Sequence, residues 1–138
     1  MSEEKCPSED CNRQHGAFSW CELMTTDVDA AKKFYGRLFG WQMQDVDVAG
    51  EGYTLLSAGG KAQGGIMTMP PEAQGAPPCW GVYVTVDDVD ATAKQAAELG
   101  AKTIVPPTDI PGVGRFHVFL DPQGAAISVI TYKAGHGM

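Results

Sequence analysis

Two stretches of the chain follow one pattern, in which an apolar strand runs into a helical period. From Phe18 to Thr25 the residues FSWCELMT are aromatic and apolar, the composition of a strand. Val28, Ala31, Tyr35 and Leu38 then fall at spacings of 0, 3, 7 and 10, which predicts one helical face. Asp27 is placed to cap that helix, Asp29 suits the dipole of its first turn, and Gly40 supplies a stop. Trp80 opens a second strand, and Val89, Thr92, Ala96 and Leu99 repeat the same helical spacings before Gly100. Laying Trp80 on Trp20, with one extra residue in the second copy, pairs Asp27-Val28-Asp29-Ala30 with Asp88-Val89-Asp90-Ala91. The residue types differ while the spacings agree, which is the mark of an internal repeat.

Each helix is followed by three further short strands. In the first copy these are residues 41–48, 53–57 and 65–69, with Ala49-Gly50-Glu51-Gly52, Gly59-Gly60-Lys61 and Gly64-Gly65 read as turn residues. In the second they are 102–105, 115–120 and 126–132, with Asp121-Pro122-Gln123-Gly124 as a hairpin turn. The segment Pro70–Pro78 is too rich in proline for a helix or central strand and reads as a linker, and Pro106–Gly114 reads as a loop. The expected organisation is a polar arm over 1–16, one domain over 17–132 made of two βαβββ units (about 17–69 and 79–132), and a tail over 133–138.

Composition narrows the function classes. With 138 residues, 43% hydrophobic and 20% charged, the chain suits one globular domain with a real core. A net charge of -7 argues against nucleic acid, which requires a basic patch. No apolar run approaches the roughly 18 residues of a membrane helix. The polar, acidic N-terminus is unlike a signal peptide, so the expected compartment is the cytoplasm.

Cys21 and Cys79 lie in or beside strands and read most simply as small buried residues. Cys6, Cys11 and His15 have spacings compatible with part of a zinc site. The alternatives are an acidic arm with two reduced thiols, or a local disulfide.

The two βαβββ units, Phe34-Tyr35 with Leu38-Phe39-Gly40-Trp41, and Gly114-Arg115-Phe116 leading into Asp121-Pro122-Gln123-Gly124, resemble the vicinal oxygen chelate superfamily. This group includes glyoxalase I, ring-cleaving dioxygenases and bleomycin-resistance proteins. The resemblance covers about residues 17–132. It implies an α+β fold in which two βαβββ repeats form a curved mixed sheet with helices outside, a cleft between the paired units, and a homodimer. A monomer by light scattering at micromolar concentration would count against the dimer.

The resemblance also implies where a divalent metal would be held, by ligands on the first and last strands of each unit. These positions fall on Trp20, Trp80, Ser128 and, in the first unit's last strand, near Ile66 or Met67. None is a histidine or carboxylate, so no cofactor is expected, with a divalent metal elsewhere as the lesser alternative.

Strand alternation adds Glu22 and Met24 to the face of Trp20, and Val82 and Val84 to that of Trp80. The expected cavity holds two indoles, aliphatic groups and one carboxylate, which suits a planar or apolar small molecule. A carboxylate among indoles is expected to have a raised pKa that suits proton transfer, or else to be paired with a buried donor. Arg115 and His117 share a face with Phe119. On the cleft they would be an anion clamp and an acid or base; otherwise they are ordinary surface residues. Tyr53 is a further candidate in the equivalent strand, and Met67 another lining residue.

Two function classes follow. The first is a metal-free protein that binds a small apolar or aromatic molecule, with a cationic ligand favoured by the acidic charge and the indoles. The second is a glyoxalase-type lyase or isomerase using Glu22 or His117 as acid or base. A third, weaker reading makes the cysteine arm a redox or interaction element.

Overall fold

The computed structural model describes residues 14–48, 50–70 and 75–133. Its elements run β1 (Phe18–Thr25), α1 (Val28–Phe39), β2 (Gln42–Val48), β3 (Glu51–Ala58), β4 (Lys61–Thr68), β5 (Cys79–Thr85), α2 (Val89–Glu98), β6 (Lys102–Ile110), β7 (Gly114–Leu120) and β8 (Ala126–Tyr132). The order βαβββ therefore occurs twice, and the fold is α+β. The chain divides into two compact units: Trp20–Gly81 forms the first, and the segments around it form the second. The boundary lies inside β1 and β5 because their first residues pair away from their own repeat. Gly16 N–H donates to Thr85 O, Thr85 N–H donates to Ala17 O, and the Ser19 and Tyr132 hydroxyls lie 2.8 Å apart.

In the first unit the strand order is β2-β3-β4-β1. β1 runs parallel to β4, and β3 pairs antiparallel with β2 and β4. Leu23, Leu56 and Ile66 are buried on the face that meets α1, where Val28, Ala31, Tyr35, Trp41 and Met43 pack on them. Asp27 caps α1 by accepting from Ala30 N–H at 3.0 Å. Gly40 ends it at φ 72°, donating back to Gly36 O at 2.9 Å. Leu38, expected on the buried stripe, is 59% exposed. At a helix's 100° per residue, the tenth position has drifted to the edge of the stripe that Val28, Ala31 and Tyr35 define.

Lys32 on α1 reaches Asp45 on β2 at 3.0 Å, and Thr54 donates to the same carboxylate oxygen at 3.0 Å. Those bonds hold the Asp45 pKa below the ordinary carboxylate value, with the Lys32 hydrogen bond as the largest cause. A folded-state pKa that is lowered contributes stability at neutral pH and loses it as pH falls through the carboxylate range. Asp45→Asn is therefore expected to lower the thermal midpoint at neutral pH and to leave it nearly unchanged at the acid end of the profile, so that the acid limb flattens. An acid limb identical to wild type would contradict this.

The second unit has the order β5-β8-β7-β6. Val86, Val89 and Val129 form its helix-side core with Val84 and Phe119 against them. Asp88 caps α2 through Ala91 N–H at 3.1 Å. Leu99, the expected counterpart of Leu38, is 70% exposed.

Two segments read as loop or turn are strand. Gly64 and Gly65 lie within β4, where the backbone of Cys21 and the ring of Tyr53 occupy the space a Cβ would need. β6 continues through Pro106-Pro107 to Ile110. It is the edge strand, where a missing N–H leaves no interior ladder bond unmade, and its register shifts twice against β7. Cys21 and Cys79, expected to be buried, are exposed. Burial along β1 rises only toward Leu23 and Thr25, where α1 covers it.

Candidate functional site

The sheet face opposite α1 in the first unit is set by strand alternation. Leu23, Leu56 and Ile66 point to the helix, so Trp20, Glu22 and Met24 on β1 point the other way. Tyr53 and Leu55 on β3, with Gly65 and Met67 on β4, share that face. Register pairs Glu22 with Gly65 and Met24 with Met67.

One phenol organises the face. Trp20 Nε1–H donates to the Tyr53 hydroxyl at 2.8 Å, and that hydroxyl donates to Glu22 Oε2 at 2.8 Å. A phenol has one proton and two lone pairs, so this chain has a fixed sense, from indole through phenol to carboxylate. The Tyr53 ring lies directly over Gly65. The indole N–H is thereby occupied. Trp20, Glu22, Met24, Tyr53 and Met67, all candidates from the sequence, thus share one face.

Trp80, Val82 and Val84 are elsewhere. Trp80 belongs to the helix side of the first unit: its Nε1–H donates to Tyr35 OH at 3.2 Å, and its ring meets Tyr35 and Trp41 edge-on at 5.4 and 6.0 Å. Val84 packs in the helix-side core of the second unit, and Val82 shares its side of β5. The reason is register. With no extra residue, one constant offset carries Asp27 onto Asp88, Val28 onto Val89, Leu23 onto Val84 and Trp20 onto Gly81. The counterpart of Glu22 is then Tyr83, and Ser19 is that of Trp80.

In the second unit, Tyr83 pairs with Ser128, and Ser128 with Val118, all on the face away from α2. Arg115 and His117 lie on the other face, with Phe119. Arg115 Nε and Nη2 donate to Asp90 at 2.9 and 3.0 Å, and Nη1 donates to Asp109 at 2.9 Å. Asp90 first, then Asp109, raises the guanidinium pKa above its ordinary value, and Arg115 lowers that of Asp90. All three nitrogens are committed, so Arg115 joins α2 to β6 rather than standing ready for an anion. His117 is 1% exposed, with Nδ1 2.8 Å from Val105 O. That bond places the proton on Nδ1. It falls where two prolines and two register shifts interrupt the β6–β7 ladder, so the imidazole joins strands that the backbone joins poorly.

Of the N-terminal candidates, Cys6 and Cys11 lie outside the described residues. His15 Nδ1 accepts from Asp87 N–H at 2.9 Å, while the Asp87 carboxylate is 3.6 Å away. A nitrogen that accepts an N–H is unprotonated, so the hydrogen bond, not the ion pair, describes this contact.

The β1–β4 and β5–β8 registers shift two of the positions that the resemblance implies for metal ligands: they fall on Trp20 and Gly65, rather than Ile66 or Met67, in the first unit, and on Gly81, rather than Trp80, with Ser128 in the second. The first pair offers an indole nitrogen that has no lone pair to give, and the second offers one hydroxyl. Among the described residues no three His, Cys, Asp or Glu side chains are grouped to hold an ion. This donor set does not fit a divalent metal.

The model of the Glyoxalase/Bleomycin resistance protein/Dioxygenase superfamily matches residues 17–129. The chain belongs to this superfamily. Among its relatives, "Putative glyoxylase CFP32" of Mycobacterium tuberculosis is 42% identical over 119 residues, covering 84% of this chain and 46% of the relative. "Anthracycline biosynthesis protein DnrV" of Streptomyces peucetius is 36% identical over 127 residues, covering 83% and 46%. The chain thus spans slightly less than half the length of these two superfamily members. Among solved structures, a Streptomyces coelicolor methylmalonyl-CoA epimerase superposes with a TM-score of 0.64 at 16% identity, covering 88% of this chain and 100% of its own. Hypothetical protein BH1468 of Bacillus halodurans gives a TM-score of 0.67 at 11% identity, covering 91% and 100%. At such identities these two share the fold alone. No helix among the described residues is long and apolar enough to cross a membrane.

Proposed function

We propose that this chain is a small-molecule-binding member of the superfamily, that its ligand is planar and aromatic or apolar, and that it binds without a divalent metal. The site is the sheet face of the first unit that carries Trp20, Met24, Tyr53, Leu55 and Met67 around Glu22. The observation that carries the reading is the Trp20–Tyr53–Glu22 hydrogen-bond chain, which holds an indole face and a carboxylate in fixed relation. An indole held in this way gives a flat apolar platform at little entropic cost, and the paired thioethers of Met24 and Met67, further along β1 and β4, adapt to the ligand's outline. One relative carries the name "Anthracycline biosynthesis protein DnrV". In this reading the chain acts in the cytoplasm as a homodimer.

The test is equilibrium dialysis with proflavine, a planar aromatic cation, before and after exhaustive treatment with a chelator. Saturable binding of about one dye per chain, unchanged by the chelator, is the expected result. Loss of binding on metal removal, restored by a divalent ion, would contradict the metal-free reading.

A second reading is favoured by one observation. Tyr53 orients the Glu22 carboxylate as an acid–base group in a lyase or isomerase would be oriented, and a relative carries the name glyoxylase. Turnover by the wild type that Glu22→Gln abolishes would establish it.

A further inference from the structure

Tyr53 stands in an unusual relation to the residue beneath it. A Cβ built at Gly65 falls on the Tyr53 ring at its hydroxyl-bearing end. The phenol therefore fills the space that any side chain at position 65 would require, and a glycine there is the condition for its pose. The same hydroxyl is the only group that bonds both Trp20 Nε1 and Glu22 Oε2 among the bonds just described. Removing it takes one hydrogen bond from the indole and one from the carboxylate together. Met24 and Met67, which pair across β1 and β4, are flexible and apolar and set no direction for a polar group.

We infer that Tyr53, seated on Gly65, is the specificity-determining positioning residue of this face, and that it selects planar aromatic ligands carrying a positive charge or an N–H donor over neutral isosteres. The inference rests on the proposed binding function. Tyr53 acts through its two neighbours. The indole, with its N–H turned aside to the phenol, presents a π-face, and π-faces attract cations. The carboxylate, with Oε2 held by the phenol, is fixed at one edge of that platform. A ligand that stacks on the indole meets it at a constant distance, and charge-assisted contacts gain from such preorganisation. A neutral ring of the same shape gains the stacking alone.

The experiment compares proflavine, a cation at neutral pH, with acridine, which is neutral there and similar in outline. Wild type is expected to bind proflavine about tenfold more tightly, the difference one charge-assisted contact supplies. Tyr53→Phe keeps the ring over Gly65 but removes both hydrogen bonds. It should bring proflavine down to the acridine affinity and leave acridine nearly unchanged. In a ¹H–¹⁵N spectrum it should move the Trp20 indole N–H signal and not those of Trp41 or Trp80, a change that a general loss of stability would not confine to one indole. Glu22→Gln, close in size to the native residue, should also erase the preference, which keeps the idea testable if Tyr53→Phe folds poorly. A Tyr53→Phe protein that retains the preference overturns the inference and leaves the binding function standing. Equal wild-type affinity for both dyes does the same. Wild type that binds neither dye overturns the binding function and this inference with it.

Discussion

His117→Ala is expected to lower stability by about 3 kcal/mol and the thermal midpoint by about 10 °C, while ligand affinity stays within about twofold of wild type. The imidazole is 1% exposed and fills interior volume beside Phe119, whose ring centroid lies 5.3 Å away. Its removal leaves a cavity and, separately, an unserved carbonyl at Val105. Each alone costs about 1–3 kcal/mol in an interior that relaxes only partly. His117→Asn, which keeps a donor near the carbonyl, should recover part of the loss. An acid–base role predicts the reverse pattern, with a normal midpoint and failed chemistry. Differential scanning calorimetry beside a dialysis isotherm separates the two. A midpoint unchanged in His117→Ala would contradict the packing role.

Trp20→Ala is expected to weaken proflavine binding about a hundredfold, the scale of losing one large aromatic anchor. Two losses combine: the stacking platform disappears, and Tyr53 loses the donor that fixes its hydroxyl. Trp20→Phe keeps a flat ring and loses only the N–H, so a loss of about tenfold is expected there. Trp80→Phe is the control. Trp80 packs against Tyr35 and Trp41 on the helix side of the unit, so its replacement should leave affinity unchanged. Dialysis with the three variants is decisive. If Trp80→Phe weakens binding as much as Trp20→Ala, the site has been placed on the wrong side of the sheet.

That contrast between two tryptophans shows what the sequence could and could not reveal. The helix caps were legible because Asp27 and Asp88 act within four residues of their partners. The βαβββ repeat was legible because both helices turn the same first three spacings inward, Val28, Ala31 and Tyr35 in one and Val89, Thr92 and Ala96 in the other. Glu22, Met24 and Trp20 were placed on one face by alternation within a single strand. Trp80 failed because two conspicuous indoles invited alignment to each other, at the cost of one inserted residue. In a strand, a shift of one residue sends every side chain to the opposite face. The caps carried the correct register all along, since aligning Asp27 with Asp88 without a gap puts Gly81 on Trp20. The same error carried Val82 and Val84 with it. Gly64-Gly65 resembled a turn because glycine pairs usually make turns. Only the backbone of Cys21 and the ring of Tyr53, brought close by tertiary structure, explain why glycine sits inside β4. Alternation grouped His117 with Arg115 and Phe119 but could not say which side of the sheet they share, which the packing of Phe119 against Val86, Val89 and Val129 settles.

The proposed binding face is tested most directly by ¹H–¹⁵N spectra recorded while proflavine is titrated into the protein. The chain has three tryptophans, at 20, 41 and 80, and so three indole N–H signals, assigned with the single Phe variants. The proposed site predicts that the Trp20 signal moves with dye concentration to saturation while those of Trp41 and Trp80 stay in place. Movement confined to Trp41 and Trp80, or no movement at any of the three at full dye occupancy, would contradict it.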